Sequence, residues 1–333
     1  MSEKSFDVLG LGNAIVDVIA HAEDDFLAAH ALVKGAMTLI DEARAETLYA
    51  AMGPAQITSG GCAANTAACV ASFGGRAAFI GKVKDDALGS IFAQNIHAFG
   101  VGFETRAATA GPATARSFIM VTPDGERTMN TYLGACQGLG PDDVSEEMVR
   151  GSAYIYLEGY LWDPPLAKVA FRKAARIAHA AGRKVALTLS DAFCVDRYRD
   201  EFVDLLRSRT IDILFANEHE LRSLFGTAET EAAIAALRET DALGVITYGA
   251  KGAMTVTREE TVAVPAFPIE RLVDTTGAGD LFAGGFLFGL ARGRSEKECL
   301  RLGALSAAEV IQHLGARPER SLKEFAEQEG LAV

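Results

Sequence analysis

Short apolar runs alternate along the chain with longer segments that carry polar residues at a helical period. The runs are FDVLGLG (6–12), AAFIGKV (77–83), AYIYLEGY (153–160), KVALTLS (184–190), DILFAN (212–217) and ALGVITYG (242–249). Each is short and mostly apolar, which is typical of a buried strand, whereas PLAKVAFRKAARIAHAAG (165–182) has the spacing of a surface helix. Strands that alternate with helices predict an α/β domain with a mainly parallel sheet sandwiched by helices.

Two regions interrupt this alternation, residues 18–57 and about 103–132. Their strands are shorter and more polar, and ARSFIMVTPDGERTMNTY (115–132) predicts a hairpin around Pro123-Asp124-Gly125. No internal repeat or low-complexity linker divides the sequence, so we expect both regions to form a small β-sheet lid inserted into one domain that spans 1–333. Residues 295–330 are expected to be helical, with a break at Gly315 and Pro318.

Charge and cysteine usage narrow the class of protein. The net charge is −12 at pH 7 without a basic run, which argues against a nucleic-acid partner. Five cysteines lie apart and form no CxxC pair, which predicts reduced thiols. The first ten residues, MSEKSFDVLG, lack a signal-peptide core, and no apolar run reaches 18 residues. We therefore expect a cytoplasmic protein without a membrane partner, and either a monomer or a homodimer.

The most distinctive motif is VDTTGAGDLFAGGF (273–286), in which two glycines lead into Asp280 and then into a predicted helix from Ala278 to about Gly293. Glycines let successive backbone amides point at one position, and a helix N terminus adds positive charge, so the turn suits a phosphate. A carboxylate there would repel that phosphate, so we expect Asp280 to accept a proton from an attacking hydroxyl. Alternatively, Asp280 only complements the helix dipole. In either role, the positive helix end predicts a low pKa for Asp280.

Other polar residues follow predicted strands. Asp17 comes just after the first strand, and Asn65 follows a glycine pair in SGGCAAN (59–65). Asn217 and Glu220 stand one helical turn apart at the end of the 212–217 strand, which suits a water-mediated magnesium site. The alternatives are a turn residue for Asp17, a helix cap for Asn217 and a surface acid for Glu220. Neither GxGxxG nor GxxxxGK[ST] is present, which argues against a dinucleotide-dependent dehydrogenase.

Together these segments resemble the ribokinase family of carbohydrate kinases, also called the PfkB family. The C-terminal motif DTTGAGD (274–280), followed by LFAGGF, matches the family pattern, and the N-terminal motif matches from Gly60 through Gly74. The N-terminal motif then departs at Lys84, where the family usually has glycine. The resemblance covers about residues 6–320. It implies a ribokinase-like fold with a β-sheet lid, ATP as the phosphoryl donor and Mg²⁺ as the metal.

The resemblance also implies roles for the residues around the acceptor. Asp280 would be the general base for the acceptor hydroxyl. Asp17, Gly61 and Asn65 would hold the ribose hydroxyls. The backbone amides that would form an anion hole for the moving phosphoryl group are those of Gly277, Ala278 and Gly279.

On the nucleotide side, Asn217 and Glu220 would organise the phosphates and Mg²⁺, with Glu220 acting through water. His219 lies between them and is not expected to bind metal, because no second histidine stands at ligand spacing. Some family members bind a monovalent cation, which implies a K⁺ site near Asp274. The residues of the matching nucleotide-contacting turn are Thr247, Gly249 and Gly252.

Within the family, LTLSDAFCV (187–195), IDILFANEHEL (211–221) and IQHLGARP (311–318) resemble adenosine kinases more than ribokinases or fructokinases. This implies phosphorylation of the 5′-hydroxyl of adenosine to AMP under a lid that excludes water. The alternatives are a kinase for another nucleoside or a free sugar such as ribose or fructose, and a catalytically silent nucleoside-binding protein. Phe118, Tyr132 and Trp162 could stack on a purine or could equally be lid core.

Overall fold

The structure is a computed structural model that describes residues 5–333. Within this range the strands are β1 (Phe6–Leu11), β2 (Ile15–His21), β3 (Met37–Leu39), β4 (Gln56–Gly60), β5 (Ala77–Ile80), β6 (Val101–Phe103), β7 (Ala115–Val121), β8 (Arg127–Tyr132), β9 (Ser152–Glu158), β10 (Lys184–Thr188), β11 (Ile213–Asn217), β12 (Leu243–Thr247), β13 (Ala253–Val256) and β14 (Thr261–Val264). The α-helices are α1 (Asp24–Ala29), α2 (Glu42–Ala51), α3 (Cys62–Ser72), α4 (Ala87–Ala98), α5 (Glu146–Gly151), α6 (Pro165–Ala180), α7 (Ala192–Arg207), α8 (Glu218–Phe225), α9 (Thr230–Arg238), α10 (Ala278–Ala291), α11 (Glu296–Val310) and α12 (Leu322–Gln328).

Nine strands form the large sheet, in the order β14-β13-β12-β11-β10-β9-β1-β5-β6. The strands from β12 to β6 pair in parallel, whereas the β12–β13 and β13–β14 pairs at one edge are antiparallel. Helices cover both faces, with α5 to α9 over one apolar core and α3, α4 and α10 to α12 over the other. The predicted α/β class and parallel sheet are therefore confirmed. The antiparallel edge hairpin was not predicted.

Five strands form a second sheet, in the order β3-β8-β7-β2-β4, and we call this sheet the lid. It draws its strands from residues 15–60 and 115–132, close to the two predicted regions. The predicted hairpin is present, because β7 and β8 pair antiparallel on either side of Pro123-Asp124-Gly125. Residues 103–114 contribute no strand to the lid. The predicted break near Gly315 and Pro318 is also confirmed, since it lies between α11 and α12.

Small residues let helix α10 lie unusually close to its neighbours. A Cβ atom added at Gly284 would stand 2.5 Å from the Cys69 Cβ of α3, and one at Gly285 would stand 2.5 Å from the Leu302 oxygen of α11. Any side chain at either glycine would push the helices apart. This close packing brings the first turn of α10, which carries Asp280, against the first turn of α3, which carries Asn65.

The remaining sequence expectations concern cysteines and membranes. All five cysteines are free thiols, and four of them are buried. In the part of the chain described by the structure, no helix is long and apolar enough to cross a bilayer.

Candidate active site

A large cavity lies at the carboxyl ends of the parallel strands and beneath the lid. Its volume is about 1010 Å³, whereas a pocket for one small ligand typically measures about 300–1,000 Å³. Open α/β sheets bind their ligands at this edge. The predicted site residues that line the cavity are Asp17, Gly61, Asn65, Asn217, Glu220, Thr247, Gly277, Gly279 and Asp280.

The glycine turn before α10 has the geometry expected of a phosphate-binding turn. Gly277 has φ +78° and is the N-cap of α10, and a Cβ there would stand 2.7 Å from the Ala316 Cβ. A Cβ at Gly279 would have no atom within 4 Å, so the backbone at Gly279 is open to the cavity. The Ala278 amide donates to the Thr275 oxygen at 3.2 Å and closes the turn. The amides of Gly277 and Gly279 are therefore the better candidates for an anion hole.

Asp280 lies in the first turn of α10 and faces the cavity. Its Oδ2 accepts a hydrogen bond from Asn65 Nδ2 at 2.8 Å, and its carbonyl oxygen accepts one from Thr66 Oγ1 at 3.0 Å. Burial raises the pKa of Asp280 to about 6, although Asn65, Cys62 and Arg317 act in the opposite direction. The predicted low pKa was wrong, because removing the carboxylate from water outweighs the positive helix end. A carboxyl group with this pKa is a stronger base than an exposed aspartate.

Asn65 and Asp17 lie at the same end of the cavity as Asp280. While Asn65 Nδ2 is bonded to Asp280, the Asn65 Oδ1 is buried and has no hydrogen-bond partner among residues 5–333. Buried polar atoms in native proteins are rarely left unpaired, so this oxygen is available to a ligand hydroxyl. Burial also raises the pKa of Asp17 to about 7, despite the nearby Arg317 and Arg127 guanidinium groups.

The loop before α3 is shaped by a glycine that no other residue could replace. Gly61 has φ +97° and is the N-cap of α3, and a Cβ at this position would overlap the Asn13 carbonyl oxygen. The preceding Gly60 packs against the Asp17 carboxylate, where a Cβ would also collide. The motif predicted to contact the ribose therefore sets how closely β2 can approach the start of α3.

Glu158, at the end of β9, is a site residue that the sequence analysis missed. It is 1% exposed and accepts hydrogen bonds from Asn13 Nδ2 at 2.7 Å and from the Ala63 amide at 3.1 Å. Burial raises its pKa to about 7. The available signal was an acid in the apolar run YIYLEGY, directly before a glycine. We call Asp17, Asn65, Glu158 and Asp280 together the aspartate end of the cavity.

The opposite end, which we call the cap end, consists of Asn217, Glu220 and Thr247 at the ends of β11 and β12. Asn217 Oδ1 accepts from the Glu220 amide at 2.9 Å, and Asn217 Nδ2 donates to Glu220 Oε1 at 2.7 Å. Asn217 therefore caps helix α8, as the alternative interpretation predicted, and it also lines the cavity. Glu220 is not a surface acid, because it is 7% exposed.

The charge around Glu220 favours a cation as a ligand. Burial raises its pKa to about 7, and the charged group that acts on it is another carboxylate, that of Asp191. A buried carboxylate with this environment gains most from a bound cation. Gly249 and Gly252 lie in the turn after Thr247, with φ +56° and +106°, outside the cavity wall formed by the described residues. They shape that turn without lining the cavity.

Asp274, where the K⁺ site was predicted, already has several partners. It pairs with Arg127 of the lid, whose Nη2 lies 2.7 Å from Asp274 Oδ2, and it accepts from the amides of Thr276 and Gly315 at 3.0 and 3.2 Å. Arg127 Nη1 also donates to Thr276 Oγ1 at 3.1 Å, so the lid is tied directly to the glycine turn. The K⁺ site stays a prediction, and Arg127 is a second residue that the sequence analysis missed.

The three aromatic residues suggested for purine stacking belong to apolar cores. Trp162 is fully buried against Phe171 and Phe202. Phe118 and Tyr132 are buried within the lid, each 5.8 Å from the Arg116 guanidinium. The lid-core alternative is therefore correct for Phe118 and Tyr132 and wrong for Trp162, which belongs to the core between the large sheet and helices α6 and α7. The aromatic side chains that do line the cavity are those of Tyr160, Phe193 and Phe215.

Comparison with known proteins identifies the family. A model of the pfkB family carbohydrate kinases matches residues 37–322. The ribokinase of Arabidopsis thaliana is 32% identical over 287 residues, which cover 82% of this chain and 72% of the ribokinase. The chain thus belongs to the PfkB family of carbohydrate kinases, which are phosphotransferases acting on hydroxyl groups.

Two solved structures match nearly the whole chain. The adenosine kinase from Sinorhizobium meliloti is 55% identical, with a TM-score of 0.91 over 98% of this chain and 99% of that chain. A probable sugar kinase protein from Rhizobium etli CFN 42 is 52% identical, with a TM-score of 0.93 over 99% of this chain and 100% of that chain. These matches confirm the ribokinase-like fold and leave the acceptor between a nucleoside and a sugar.

Proposed function

We propose that this chain transfers the γ-phosphoryl group of ATP to the 5′-hydroxyl of adenosine, giving AMP and ADP. The observation that carries adenosine over a free sugar is the apolar wall that the lid contributes to the cavity. A free sugar has little apolar surface to bury there, whereas a purine ring has two apolar faces. The wall consists of Ile15, Met37, Leu39, Ile119, Met129 and Leu133.

Tyr160 supports the same acceptor. It lines the cavity, and its hydroxyl donates to Asp191 Oδ2 at 2.8 Å, which fixes the ring. A fixed aromatic ring beside an apolar wall suits the flat base of a nucleoside. The 55% identity to the adenosine kinase of Sinorhizobium meliloti adds support, because the match extends over both the lid and the large sheet.

In the proposed reaction Asp280 accepts the proton of the 5′-hydroxyl while that oxygen bonds to the γ-phosphorus. The bond between the γ-phosphorus and the bridging oxygen breaks, and ADP leaves. The amides of Gly277 and Gly279 would stabilise charge on the moving phosphoryl group. Asn65 holds Asp280 in place through its Nδ2 and offers its free Oδ1 to a ribose hydroxyl. Asp17 would accept from the neighbouring hydroxyl.

The residues present fit the metal that the family implies. Glu220 is the buried carboxylate at the cap end, and among the described residues no positively charged group lowers its pKa. Mg²⁺ commonly takes one or two carboxylates and completes its coordination with water and phosphate oxygens. Bound through water near Glu220, it would neutralise charge on the ATP phosphates.

The second candidate acceptor is a free sugar, which the 52% identity to a probable sugar kinase favours.

The acceptor is tested by measuring ADP release with adenosine, 2′-deoxyadenosine, inosine, cytidine, ribose and fructose at saturating ATP and Mg²⁺. We expect kcat/KM for adenosine to exceed that for ribose by about 10²-fold or more, since a site built for a ligand group leaves its own atoms unpaired when the group is missing. Comparable values for ribose or fructose would establish the sugar-kinase alternative. Adenosine binding without ADP release would indicate a silent binding protein.

A further inference from the structure

Arg317 is a buried arginine in the segment between α11 and α12. It is 7% exposed, and its Nε and Nη2 donate to the Ser59 carbonyl oxygen and the Ser59 Oγ, each at 3.0 Å. Its Nη1 donates to the Ala64 carbonyl oxygen, and the guanidinium lies 5.2 Å from the centre of the Phe99 ring. All these partners are uncharged, although a buried charge is usually retained with a charged partner.

The hydrogen-bond partners of Arg317 belong to the acceptor loop, which we define as residues 59–64. Ser59 lies in β4, an edge strand of the lid, and Ala64 lies in the first turn of α3, one residue before Asn65. Three donors of one guanidinium therefore hold the point where the lid joins the helix that carries Asn65. A planar fork of donors fixes the relative position of its acceptors better than a single ammonium group can.

The residues just before Arg317 contact the glycine turn. The Gly315 amide donates to Asp274 Oδ2 at 3.2 Å, and Ala316 packs against Gly277. Residues 315–317 thus contact both the turn that would hold the phosphoryl group and the loop that would hold the acceptor. They lie in IQHLGARP, one of the segments that resembled adenosine kinases.

The positive charge of Arg317 acts on two carboxylates of the aspartate end. It lowers the pKa of Asp280 and of Asp17, and both carboxylates in turn raise the pKa of Arg317, which burial holds at about 10. Arg317 is thus protonated at neutral pH. Arg127 also acts on Asp17, but Arg317 is the cation that acts on Asp280. The other titratable groups coupled to Asp280 are Asp17 of β2, Cys62 and Cys69 of α3, and Tyr156 and Glu158 of β9.

We propose that Arg317 is a positioning residue for phosphoryl transfer, which fixes the acceptor loop relative to the glycine turn and places a buried positive charge at the aspartate end. The proposal rests on the phosphotransferase reaction of the proposed function and not on the identity of the acceptor. Arg317 donates to Ser59 and Ala64 and need not touch either substrate.

The test compares two variants. Arg317→Met removes the positive charge and the hydrogen bonds to Ser59 and Ala64, whereas Arg317→Lys keeps the charge and loses the planar set of donors. The matched control is Arg320→Met in the same segment, since Arg320 donates to exposed Gln328 and stacks on Phe325, away from the acceptor loop. For each protein, kcat and the acceptor KM are measured from pH 5.5 to 9, together with the melting temperature. The acceptor is whichever compound wild type uses best, so failure of the adenosine assignment does not affect this test.

Without the positive charge the pKa of Asp280 rises, so less of the base is ionised at neutral pH. We expect Arg317→Met to lower kcat about eightfold at pH 5.5 and about threefold at pH 6.5, as a rise of about one unit from the Asp280 pKa of about 6 implies, with most of the loss recovered at pH 9. Arg317→Lys keeps the charge, so the decrease in kcat at low pH should match that of wild type. It loses the planar set of donors, so the acceptor KM should rise about tenfold. Arg320→Met should match wild type in both quantities.

The proposal is overturned if the Arg317 variants melt at a lower temperature but keep the wild-type decrease in kcat at low pH and the wild-type acceptor KM. Arg317 would then be only structural. If Arg317→Met does not fold, Arg317→Lys decides the positioning part, because an unchanged acceptor KM contradicts it. Ser59→Ala then gives a second readout. It removes the Oγ that accepts from Arg317 and donates to Asn95 Oδ1, and leaves the Arg317 charge in place. We expect a rise of about threefold in acceptor KM and an unchanged decrease in kcat at low pH.

Discussion

The two ends of the cavity are built in different ways. The aspartate end assembles side chains from four separate elements, β2, α3, β9 and α10, and three of its carboxyl groups have raised pKa values. The cap end comes from two adjacent strand ends and one helix start, and its single buried acid is bonded to its own helix cap. The aspartate end is therefore organised by tertiary packing, whereas the cap end is organised locally and depends on what binds there.

This difference predicts which substitutions change the chemical step and which change only a ligand requirement. Changes at the aspartate end should act on kcat or on the acceptor. Changes at the cap end should act on the nucleotide and the metal. The four predictions below follow that division, from the largest expected effect to the smallest.

Asp280→Asn should cause the largest loss. The amide keeps the shape of the side chain but cannot accept the hydroxyl proton, so kcat should fall about 10²- to 10⁴-fold. ATP affinity should be unchanged or improved, because a negative charge near the phosphates is removed. The matched control is Asp86→Asn, since Asp86 caps α4 by accepting from the Gly89 amide at 2.8 Å, and it lies outside the cavity wall formed by the described residues.

Steady-state kinetics, ATP binding and thermal melting on both variants separate catalysis from capping. Asp86→Asn should lower the melting temperature and leave kcat close to wild type. If Asp280→Asn behaves in the same way, with kcat within about threefold of wild type, the general-base role is wrong.

Asp17→Asn should lower kcat/KM for the acceptor about 10- to 100-fold, the effect of losing a hydrogen bond to a charged group. The preference for adenosine over 2′-deoxyadenosine should shrink in the variant if Asp17 holds a ribose hydroxyl. KM for ATP should not change. Asp25→Asn, an exposed aspartate in α1, is the control and should behave as wild type. An undiminished preference in Asp17→Asn would place the ribose elsewhere.

Much of the large sheet could be predicted because its signals are local. Continuous apolar runs identify buried strands, and α6 was predicted to within two residues at its C-terminal end. The β13–β14 hairpin was missed, since AMTV and TVAV are short and lie within a stretch that has no clear period. The observed strand ends differ from the predicted ones by a few residues. Glycine and polar residues at the cavity lengthen the run in the sequence, but they do not pair with a neighbouring strand.

The candidate site shows the same division. Glycine turns and their flanking acids are local motifs, so Asp280, Asn65 and Asn217 could be identified from the sequence. Glu158, Arg127 and Arg317 could not, because they enter the site from elements more than 90 residues away from the groups they contact. The pKa of Asp280 was predicted in the wrong direction for a related reason. A helix N terminus can be identified from sequence, but the depth of burial depends on the packing of α3, α10 and the lid.

At the cap end, Glu220→Gln should raise the Mg²⁺ concentration needed for half-maximal activity about tenfold, in line with the loss of a partner in a metal's outer shell. The acceptor KM should be unchanged, because Glu220 lies away from the aspartate end. Glu218→Gln is the control, since Glu218 lies on the same helix and accepts from Thr230 Oγ1. A Mg²⁺ titration of both variants is the measurement. An unchanged requirement in Glu220→Gln would remove Glu220 from the proposed metal site.

The smallest expected effect concerns stability and pH. Asp17, Glu158 and Glu220 have pKa values of about 7, and Asp280 about 6, all raised by burial. Unfolded carboxyl groups titrate near pH 4. An acid whose folded pKa is raised stabilises the fold fully below its unfolded pKa, and this contribution is lost as pH rises through the folded pKa. The ligand-free protein should therefore melt a few degrees higher at pH 5.5 than at pH 8.

The two ends of the cavity should contribute unequally to this dependence, since three of the four acids lie at the aspartate end. Glu158→Gln removes one of these titrations, so the difference in melting temperature between pH 5.5 and pH 8 should decrease. Asp124→Asn is the matched control, because the Lys34 ammonium and Thr122 hold the pKa of Asp124 below its usual range, so that it stays ionised throughout this window. The melts are recorded in chelator, since Mg²⁺ near Glu220 would favour the ionised form and reduce the difference.

A protein that melts higher at pH 8 than at pH 5.5 would show that these carboxyl groups are better solvated than their burial implies. The base at Asp280 would then be as weak as an exposed aspartate.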